Sequence, residues 1–373
     1  MDCKYFGECG ACRLYEDGYE GQLAQKVAQN KERFAPYYSG QIDIFASPEE
    51  HYRARSEFKI WHEGDALFYA MNHRDKKGVV LIDGCPQVSE PIAALMPKLL
   101  EAVKQADLGF KLFGADFLSS DSGEIVVSLL YHRKLDSSWE EAARKIAEDL
   151  GIYIIGRSRK QKVVIGQDYI TQKLTIKAKE YLFHYIENSF TQPNPRVNEK
   201  MISWALDAFA DVQGDLLELY CGAGNFTIPF ATQFTKVLAT EISKSSINAA
   251  KANMQLNGVE NIAFVRMSVE EFLEALEGVR EFRRMREIDM NRYAIEAVFV
   301  DPPRSGMDET SCNFCARYNT IVYISCNPET LYRDLEILSK THKVVSMALF
   351  DQFPYTHHVE MGVKLVKKDP IDV

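Results

Sequence analysis

The sequence predicts a two-domain α/β protein in which an α+β domain precedes a doubly wound α/β domain. The chain has 373 residues, which is too long for one domain of average size. Its first half mixes strand and helix patterns, whereas its second half repeats short apolar runs between helical stretches. Such runs are typical of strands buried on both faces of a parallel sheet.

We divide the chain into three segments, which are residues 1–40, 41–180 and 181–373. The first carries three cysteines and the pattern of an exposed helix near residues 13–35. The second predicts a mixed or antiparallel sheet with helices at 90–107 and 138–150. An even spacing in this segment predicts that one face of a strand carries Arg53, Arg55 and Lys59. The third segment predicts the parallel sheet from its apolar runs LLELY, KVLAT, IAFVR, AVFVD and IVYIS.

The composition is that of an ordinary folded protein, for which a cytoplasmic location is the expectation. Hydrophobic residues make up 46% and charged residues 26% of the chain. No apolar run approaches the roughly 18 residues of a membrane span, and the first residues lack the core of a signal peptide. The net charge of -9 is a sum over the whole chain. Because basic residues cluster locally, it does not exclude RNA binding.

A glycine-rich loop follows the first apolar run of the third segment. Gly222 and Gly224 would let a ligand approach the backbone at the carboxyl end of that strand. Glu241 ends the next strand, where its carboxylate can accept hydrogen bonds from both ribose hydroxyls of an adenosine-bearing cofactor. Thr227 replaces the third glycine of the dinucleotide motif, which disfavours a pyrophosphate cofactor. A tight turn with a surface glutamate is the alternative.

Polar motifs stand at the ends of later strands. Asp301 begins the motif Asp-Pro-Pro-Arg-Ser-Gly, Cys326 lies in Ser-Cys-Asn-Pro, and Glu360 ends the run DQFPYTHHVE. Because parallel strands end at the same edge of a sheet, we expect these motifs to converge on one cleft. Most free cysteines are small buried core residues, but a strand end followed by Asn-Pro favours a reactive thiol.

Together these motifs resemble the RNA uracil-C5 methyltransferase family. The resemblance rests on SFTQPN (189–194), LELYCGAGNF (217–226), FVDPPRSG (299–306), YISCNPET (323–330) and FDQFPYTHHVE (350–360). It extends to HYRARSEFKIWHEGD (51–65), VVSLLYHRKLD (126–136), GQDYI (166–170) and GVREF (278–282), and so covers nearly the whole chain. The GVREF segment makes the chain most similar to the members that act on tRNA.

The resemblance implies a Rossmann-like, S-adenosylmethionine-dependent methyltransferase domain preceded by an α+β RNA-binding domain. It implies that Cys326 adds to C6 of uracil and that Glu360 accepts the proton from C5. Cofactor binding is implied for Gln192, Tyr220, Asn225, Glu241 and Asp301. The expected partner is tRNA, bound through its T-arm by a monomer without an obligate protein partner. The expected product is 5-methyluridine at position 54.

Four residues are candidates for contacts with the RNA. The target base must leave its stack before C6 can be reached, and Phe190 precedes Gln192 where it could stack on the extruded base. Phosphate contacts that hold the T-arm are expected from Arg53, Arg55 and Lys59.

A second candidate site is a set of four cysteines. It comprises Cys3, Cys9, Cys12 and the distant Cys85, which we expect to pack back on the N-terminus. The set resembles the [4Fe–4S] ligands of the ribosomal-RNA members of the family, and zinc or unligated thiols are the alternatives. Cys312 and Cys315 lack a second pair at metal-binding spacing, so we expect a non-ligating pair on a helix.

Three other functions stay open. A 23S rRNA uracil-C5 methyltransferase is favoured by the four cysteines and disfavoured by the GVREF segment. A non-catalytic iron–sulfur or zinc protein that binds RNA would not depend on Cys326. A small-molecule oxidoreductase on the same sheet is disfavoured by Thr227.

Overall fold

The computed structural model describes residues 1–369, so that residues 370–373 of the predicted third segment lie outside the described part. The helices are α1 (Gly18–Phe34), α2 (Glu90–Gln105), α3 (Ser137–Leu150), α4 (Pro195–Ala208), α5 (Thr227–Phe230), α6 (Lys244–Leu256), α7 (Val269–Leu276), α8 (Glu309–Cys315) and α9 (Pro328–Leu338). The strands of the first half are β1 (Asp43–Phe45), β2 (Arg55–Glu63), β3 (Ala66–Asn72), β4 (Val79–Ile82), β5 (Leu112–Ser119), β6 (Ile125–Tyr131), β7 (Tyr153–Ser158), β8 (Gln161–Ile165), β9 (Tyr169–Ile176) and β10 (Lys179–Ile186). Those of the second half are β11 (Asp215–Leu219), β12 (Val237–Thr240), β13 (Ile262–Val265), β14 (Ile295–Val300), β15 (Thr320–Ser325), β16 (His342–Phe350) and β17 (Glu360–Lys367). None of the helices in residues 1–369 combines the length and the apolar character that a membrane crossing requires.

A seven-stranded sheet forms the α+β domain, in the order β4-β3-β2-β5-β6-β7-β8. Only β6 and β7 pair in parallel, so the sheet is mixed, as predicted. Helices α2 and α3 pack on it through a core that includes Leu99 and Trp139. Helix α3 begins where the side chain of Asp136 accepts a hydrogen bond from the amide of Trp139, and it ends at Gly151 in the left-handed region.

An eight-stranded sheet forms the doubly wound α/β domain, in the order β1-β16-β17-β15-β14-β11-β12-β13. The five strands from β15 to β13 in this order are parallel, as predicted, and β17 runs antiparallel between β15 and β16. Successive residues of β11 point to opposite faces: Leu216 joins one core and Leu217 the other. Helices α4 to α6 contribute to the first core, and α1 and α7 to α9 to the second. The doubly wound arrangement is therefore confirmed.

Three local predictions need correction. Strand β1 lies in the predicted second segment but pairs with β16 and so belongs to the eight-stranded sheet. Helix α1 is not wholly exposed, because its few apolar residues share one face. That face packs Leu23 and Phe34 into the second core of the eight-stranded sheet. Strand β2 begins at Arg55, so Arg53 lies before the strand and forms an isolated bridge with Val88.

A two-stranded ribbon, β9 and β10, links the two sheets and crosses the predicted boundary at residue 180. Its residues Leu174 and Phe183 are buried in the same core as helix α4. The chain leaves the ribbon at Ile186 and enters the SFTQPN segment. The ribbon thereby delivers that segment to the edge of the parallel sheet.

Candidate active site

A cavity of about 690 Å³ opens at the carboxyl ends of the parallel strands, the usual ligand site of open α/β sheets. Its lining includes all the residues that the sequence predicted for catalysis and cofactor binding, together with Phe190: Gln192, Tyr220, Asn225, Glu241, Asp301, Cys326 and Glu360. Residues from five separate motifs therefore meet in one place. Their individual roles remain predictions.

The glycine-rich loop supplies one wall of the cavity. Gly224 has φ +85, and a Cβ added there would come within 3.3 Å of Ile228, so a side chain would be strained at this position. The carboxylate of Glu241 accepts hydrogen bonds from the amide of Gly222 at 3.2 Å and from that of Ser243 at 2.7 Å. These bonds fix the carboxylate beside the loop.

Two side-chain amide contacts fix further residues of the cavity lining, and the sequence did not reveal either. Asn198 and Asn225 donate to each other, with N···O distances of 2.8 and 2.9 Å. Gln352 donates to the side-chain oxygen of Gln192 at 2.7 Å. Asn198 and Gln352 are fully buried. Asn198 stands in the first turns of an amphipathic helix, where a polar residue is ordinary. Its contact with Asn225 joins distant parts of the chain, so the local sequence gave no signal of it.

The nucleophile and base candidates stand on neighbouring strands. Strands β15 and β17 are antiparallel, and the last pair in their register is Ser325 with Met361. Cys326 and Glu360 occupy the next position of the same register. Opposed residues of antiparallel strands have Cα atoms about 4.5–5.5 Å apart, so the sheet itself brings the two side chains to one point of the cavity.

Acidic groups crowd this point. Burial raises the pKa of the Cys326 thiol to about 12, and the carboxylates of Glu360 and Asp301 add to the effect. Burial also raises the pKa of Asp301 to about 7, and burial followed by the charge of Asp301 raises the pKa of Glu360. Arg304 lowers the pKa of Cys326, but by less than burial and the carboxylates raise it.

The carboxyl groups of the cavity fit a cationic, adenosine-bearing ligand such as S-adenosylmethionine. Glu218 lines the cavity, is 1% exposed, and has one carboxylate oxygen without a hydrogen-bond partner. Burial raises the pKa of Glu218, and Asp301 contributes to this rise. A ligand with positive charge would stabilise the ionised forms of these carboxyls. Glu241 is positioned to accept from ribose hydroxyls.

The four RNA-contact candidates differ in their surroundings. Phe190 lines the cavity and is 78% exposed, so its ring is available to a ligand. Lys59 is exposed on β2 and donates to Asn72. The guanidinium of Arg55 donates to the carbonyl of Ser189, and that of Arg53 lies 5.9 Å from the centre of the Phe353 ring. Both arginines thus already have partners within the protein.

The three N-terminal cysteines and Cys85 lie near one another. After burial, the nearby thiols of Cys85, Cys9 and Cys3 contribute to the raised pKa of Cys12, whose sulfur accepts a hydrogen bond from Gln87 at 2.8 Å. Within residues 1–369, no three His, Cys, Asp or Glu side chains are arranged to hold a metal ion. The four thiols therefore do not fit a [4Fe–4S] cluster or zinc in this arrangement. Cys312 and Cys315 are buried on α8, so the predicted helix is confirmed, and their non-ligating role stays a prediction.

The fold is similar to that of a solved structure, the tRNA (uracil-54, C5)-methyltransferase of Pyrococcus abyssi in complex with S-adenosyl-L-homocysteine. The match has a TM-score of 0.70 at 22% identity and covers 94% of this chain and 84% of that chain. At that identity it concerns the fold alone. It confirms the predicted Rossmann-like methyltransferase architecture.

Sequence relatives cover the chain from end to end. A tRNA/tmRNA (uracil-C(5))-methyltransferase of Sulfurimonas denitrificans is 68% identical over 369 residues, which are 99% of this chain and 100% of that protein. One from Vibrio vulnificus (strain YJ016) is 50% identical over 358 residues, 94% of this chain and 97% of that protein. The family model described as tRNA (Uracil-5-)-methyltransferase matches residues 18–368. The chain therefore belongs to the tRNA (uracil-5-)-methyltransferase family.

Proposed function

We propose that this protein transfers the methyl group of S-adenosylmethionine to C5 of uridine 54 in the T-loop of tRNA, forming 5-methyluridine. The observation that carries the proposal is the register of β15 and β17, in which Cys326 and Glu360 follow the last paired residues. C5 and C6 are adjacent atoms of uracil, so a nucleophile and a base that act on them must also be adjacent. The family relationship supplies the donor and the class of RNA.

The reaction follows from the chemistry of these two side chains. The thiolate of Cys326 adds to C6, which forms a C–S bond and makes C5 nucleophilic. S-adenosylmethionine would be held by Gln192, Tyr220, Asn225, Glu241 and Asp301, and its methyl group would bond to C5 as the bond from that methyl to sulfur breaks. The carboxylate of Glu360 then removes the proton from C5, the electron pair of that C–H bond restores the C5–C6 double bond, and the thiolate leaves.

The pKa values of the groups in the site affect when the thiolate that starts the reaction can form. The thiol of Cys326 holds its proton tightly because burial and two carboxylates disfavour the thiolate. Glu360 is also driven towards its neutral form, first by burial and then by Asp301. Bound positive charge would reverse both tendencies. We therefore expect the thiolate to form when S-adenosylmethionine is bound and to be scarce in the free enzyme.

The RNA is proposed to lie across the mouth of the cavity and the exposed face of the α+β sheet. Support comes from Phe190 at the cavity and from Lys59 and Trp61 on β2, which are all exposed. Aromatic rings beside basic side chains suit unstacked bases and phosphates. We expect a monomer to suffice, because a single chain carries the candidate residues for both ligands. The relatives described above are tRNA/tmRNA (uracil-C(5))-methyltransferases by name, so we propose tmRNA as a further substrate.

Methyl transfer from labelled S-adenosylmethionine tests the proposal. An unmodified tRNA transcript, the same transcript with uridine 54 replaced by cytidine, and a 23S rRNA transcript are compared. We expect label in the first RNA alone, and 5-methyluridine after nuclease digestion. Label only in the rRNA would show the ribosomal alternative to be right, and binding of RNA without any label would support the non-catalytic alternative.

A further inference from the structure

The loop of residues 351–359 ends at the proposed base. It connects β16 to β17, and its two flanking residues, Phe350 and Glu360, are paired across these strands. Glu360 and Phe350 therefore form the last pair of a hairpin before its loop, and Asp351 directly follows Phe350. A shift of Asp351 would be passed to Glu360 through the pairing of Phe350 with Glu360.

A buried ion pair between helix α1 and Asp351 fixes this loop. Lys26 of helix α1 is 2% exposed, and its ammonium group donates to Asp351 at 2.6 Å and to the carbonyl of Phe353 at 3.0 Å. Gln22, one turn earlier on the helix, donates to the other oxygen of Asp351 at 2.7 Å. Asp351 itself is 0% exposed. The carboxylate is thus bonded at both oxygens by one helix.

The same region of the chain holds the loop at a second point. The side-chain oxygen of Gln22 accepts from the amide of Tyr355 at 3.3 Å. The carbonyl of Tyr355 accepts from the amides of Arg13 and Leu14 at 2.7 and 3.0 Å. Helix α1 and the residues before it therefore bond to the loop at Asp351, Phe353 and Tyr355.

A buried ion pair is a costly way to achieve stability alone. Desolvation of the two charges offsets much of their attraction, and apolar residues of similar volume often stabilise a fold as well or better. What such a pair does well is to select one arrangement, because a shifted carboxylate would be left buried and unpaired. At this place the arrangement that it selects is that of the loop carrying Glu360.

We propose that Lys26 is a positioning residue for the elimination step, in that its ion pair with Asp351 holds Glu360 where it can remove the C5 proton. The inference rests on the proposed function. The C–S bond to Cys326 forms and C5 is methylated before Glu360 acts, so a displaced Glu360 leaves a methylated RNA bound to the enzyme through that bond. Loss of Lys26 should therefore change the fate of the adduct rather than abolish its formation.

The test uses the full chain, unmodified tRNA and methyl-labelled S-adenosylmethionine in single turnovers quenched in detergent. Label is counted in free RNA and in RNA attached to protein. The variants are Lys26→Met, the neutral pair Lys26→Met with Asp351→Asn, and Gln22→Met, which removes two loop bonds but keeps the ion pair. Lys31→Met, at an exposed position of the same helix, is the matched control.

We expect label in protein-bound RNA to persist in Lys26→Met, with release slowed roughly 10- to 100-fold, partial recovery in the neutral pair, and a smaller delay in Gln22→Met. Lys31→Met should behave as the unmodified protein. Release at the unmodified rate in a folded Lys26→Met variant, or equal slowing of methylation and release, would overturn the inference. Should Lys26→Met fail to fold, the neutral pair decides instead: release slower than in the unmodified protein, with methylation unchanged, supports the inference, and release at the unmodified rate overturns it. If the unmodified protein itself labels no RNA, the proposed function fails instead.

Discussion

Cys326 and Glu360 occupy facing positions just beyond the last pair, Ser325 and Met361, of two antiparallel strands. The pairing of the strands therefore sets the separation of the two backbones, and the loop before Glu360 supports the carboxylate within that frame. Strand β15 ends one residue before the thiol and β17 begins at the carboxylate, so the two strands bring together the two groups that the reaction on adjacent ring atoms requires. The predictions below follow from this arrangement.

Replacing Cys326 with serine should remove methyl transfer while leaving cofactor binding intact. A hydroxyl is a far weaker nucleophile than a thiolate at neutral pH, and burial raises the pKa of Cys221, the other cysteine that lines the cavity. Single-turnover labelling of tRNA should give counts at background, and calorimetric titration with S-adenosylhomocysteine should give an unchanged Kd. Retained transfer in this variant would rule out the covalent mechanism.

Replacing Glu360 with glutamine should separate the two halves of the reaction. Glutamine has nearly the same shape but accepts no proton, so elimination should slow by about 10²–10⁴-fold while addition and methylation continue. The expected result is a detergent-stable complex that contains enzyme, tRNA and the labelled methyl group. The exposed Glu260→Gln variant serves as a control. Normal turnover in Glu360→Gln would mean that another group removes the proton.

The stability of the ligand-free protein should depend on pH through Asp301. Its folded-state pKa is raised from 3.8 to about 7 by burial, so between these values the folded protein holds a proton that the unfolded chain has lost. Stability from this group therefore falls as pH rises from about 4 to 7 and is level above that. Urea unfolding of Asp301→Asn should show a gain over the unmodified protein that grows across this range. Parallel pH profiles would contradict the assignment.

Replacing Asn198 with alanine should weaken the binding of S-adenosylmethionine. The change leaves the amide of Asn225 without its two buried hydrogen bonds, at a cost of about 1.5 kcal/mol, or roughly tenfold in Kd. Ser203→Ala on the same helix is the control, because that hydroxyl bonds only to the carbonyl of Glu199. Equal Kd values for both variants would show that Asn225 does not need this support.

The sequence predicted the location of the site because its residues sit in local motifs at strand ends. Asp301 and Cys326 follow apolar runs that can be recognised without any knowledge of the fold, and parallel strands must end together. The partners of those residues could not be predicted in the same way. Asn198 and Gln352 look like ordinary polar residues, and only tertiary contact turns them towards the cavity.

Charged residues gave the least reliable predictions. Even spacing correctly predicted that Lys59 is exposed, but it placed Arg53 on a strand that begins at Arg55. Lys26 was expected on an exposed helix, and its partner Asp351 lies far along the chain. Periodicity reports which face of an element a residue shares, whereas the identity of a charge partner depends on how distant elements pack.

A tRNA that carries 5-fluorouridine at position 54 gives the most direct test of the central claim. Fluorine at C5 cannot leave as a cation, so the enzyme should add to C6, methylate C5 and then stop with the RNA attached. Mass spectrometry of the complex should show the mass of protein, RNA and one methyl group, and the attached peptide should contain Cys326. Absence of a covalent complex, or attachment at another cysteine, would contradict the account.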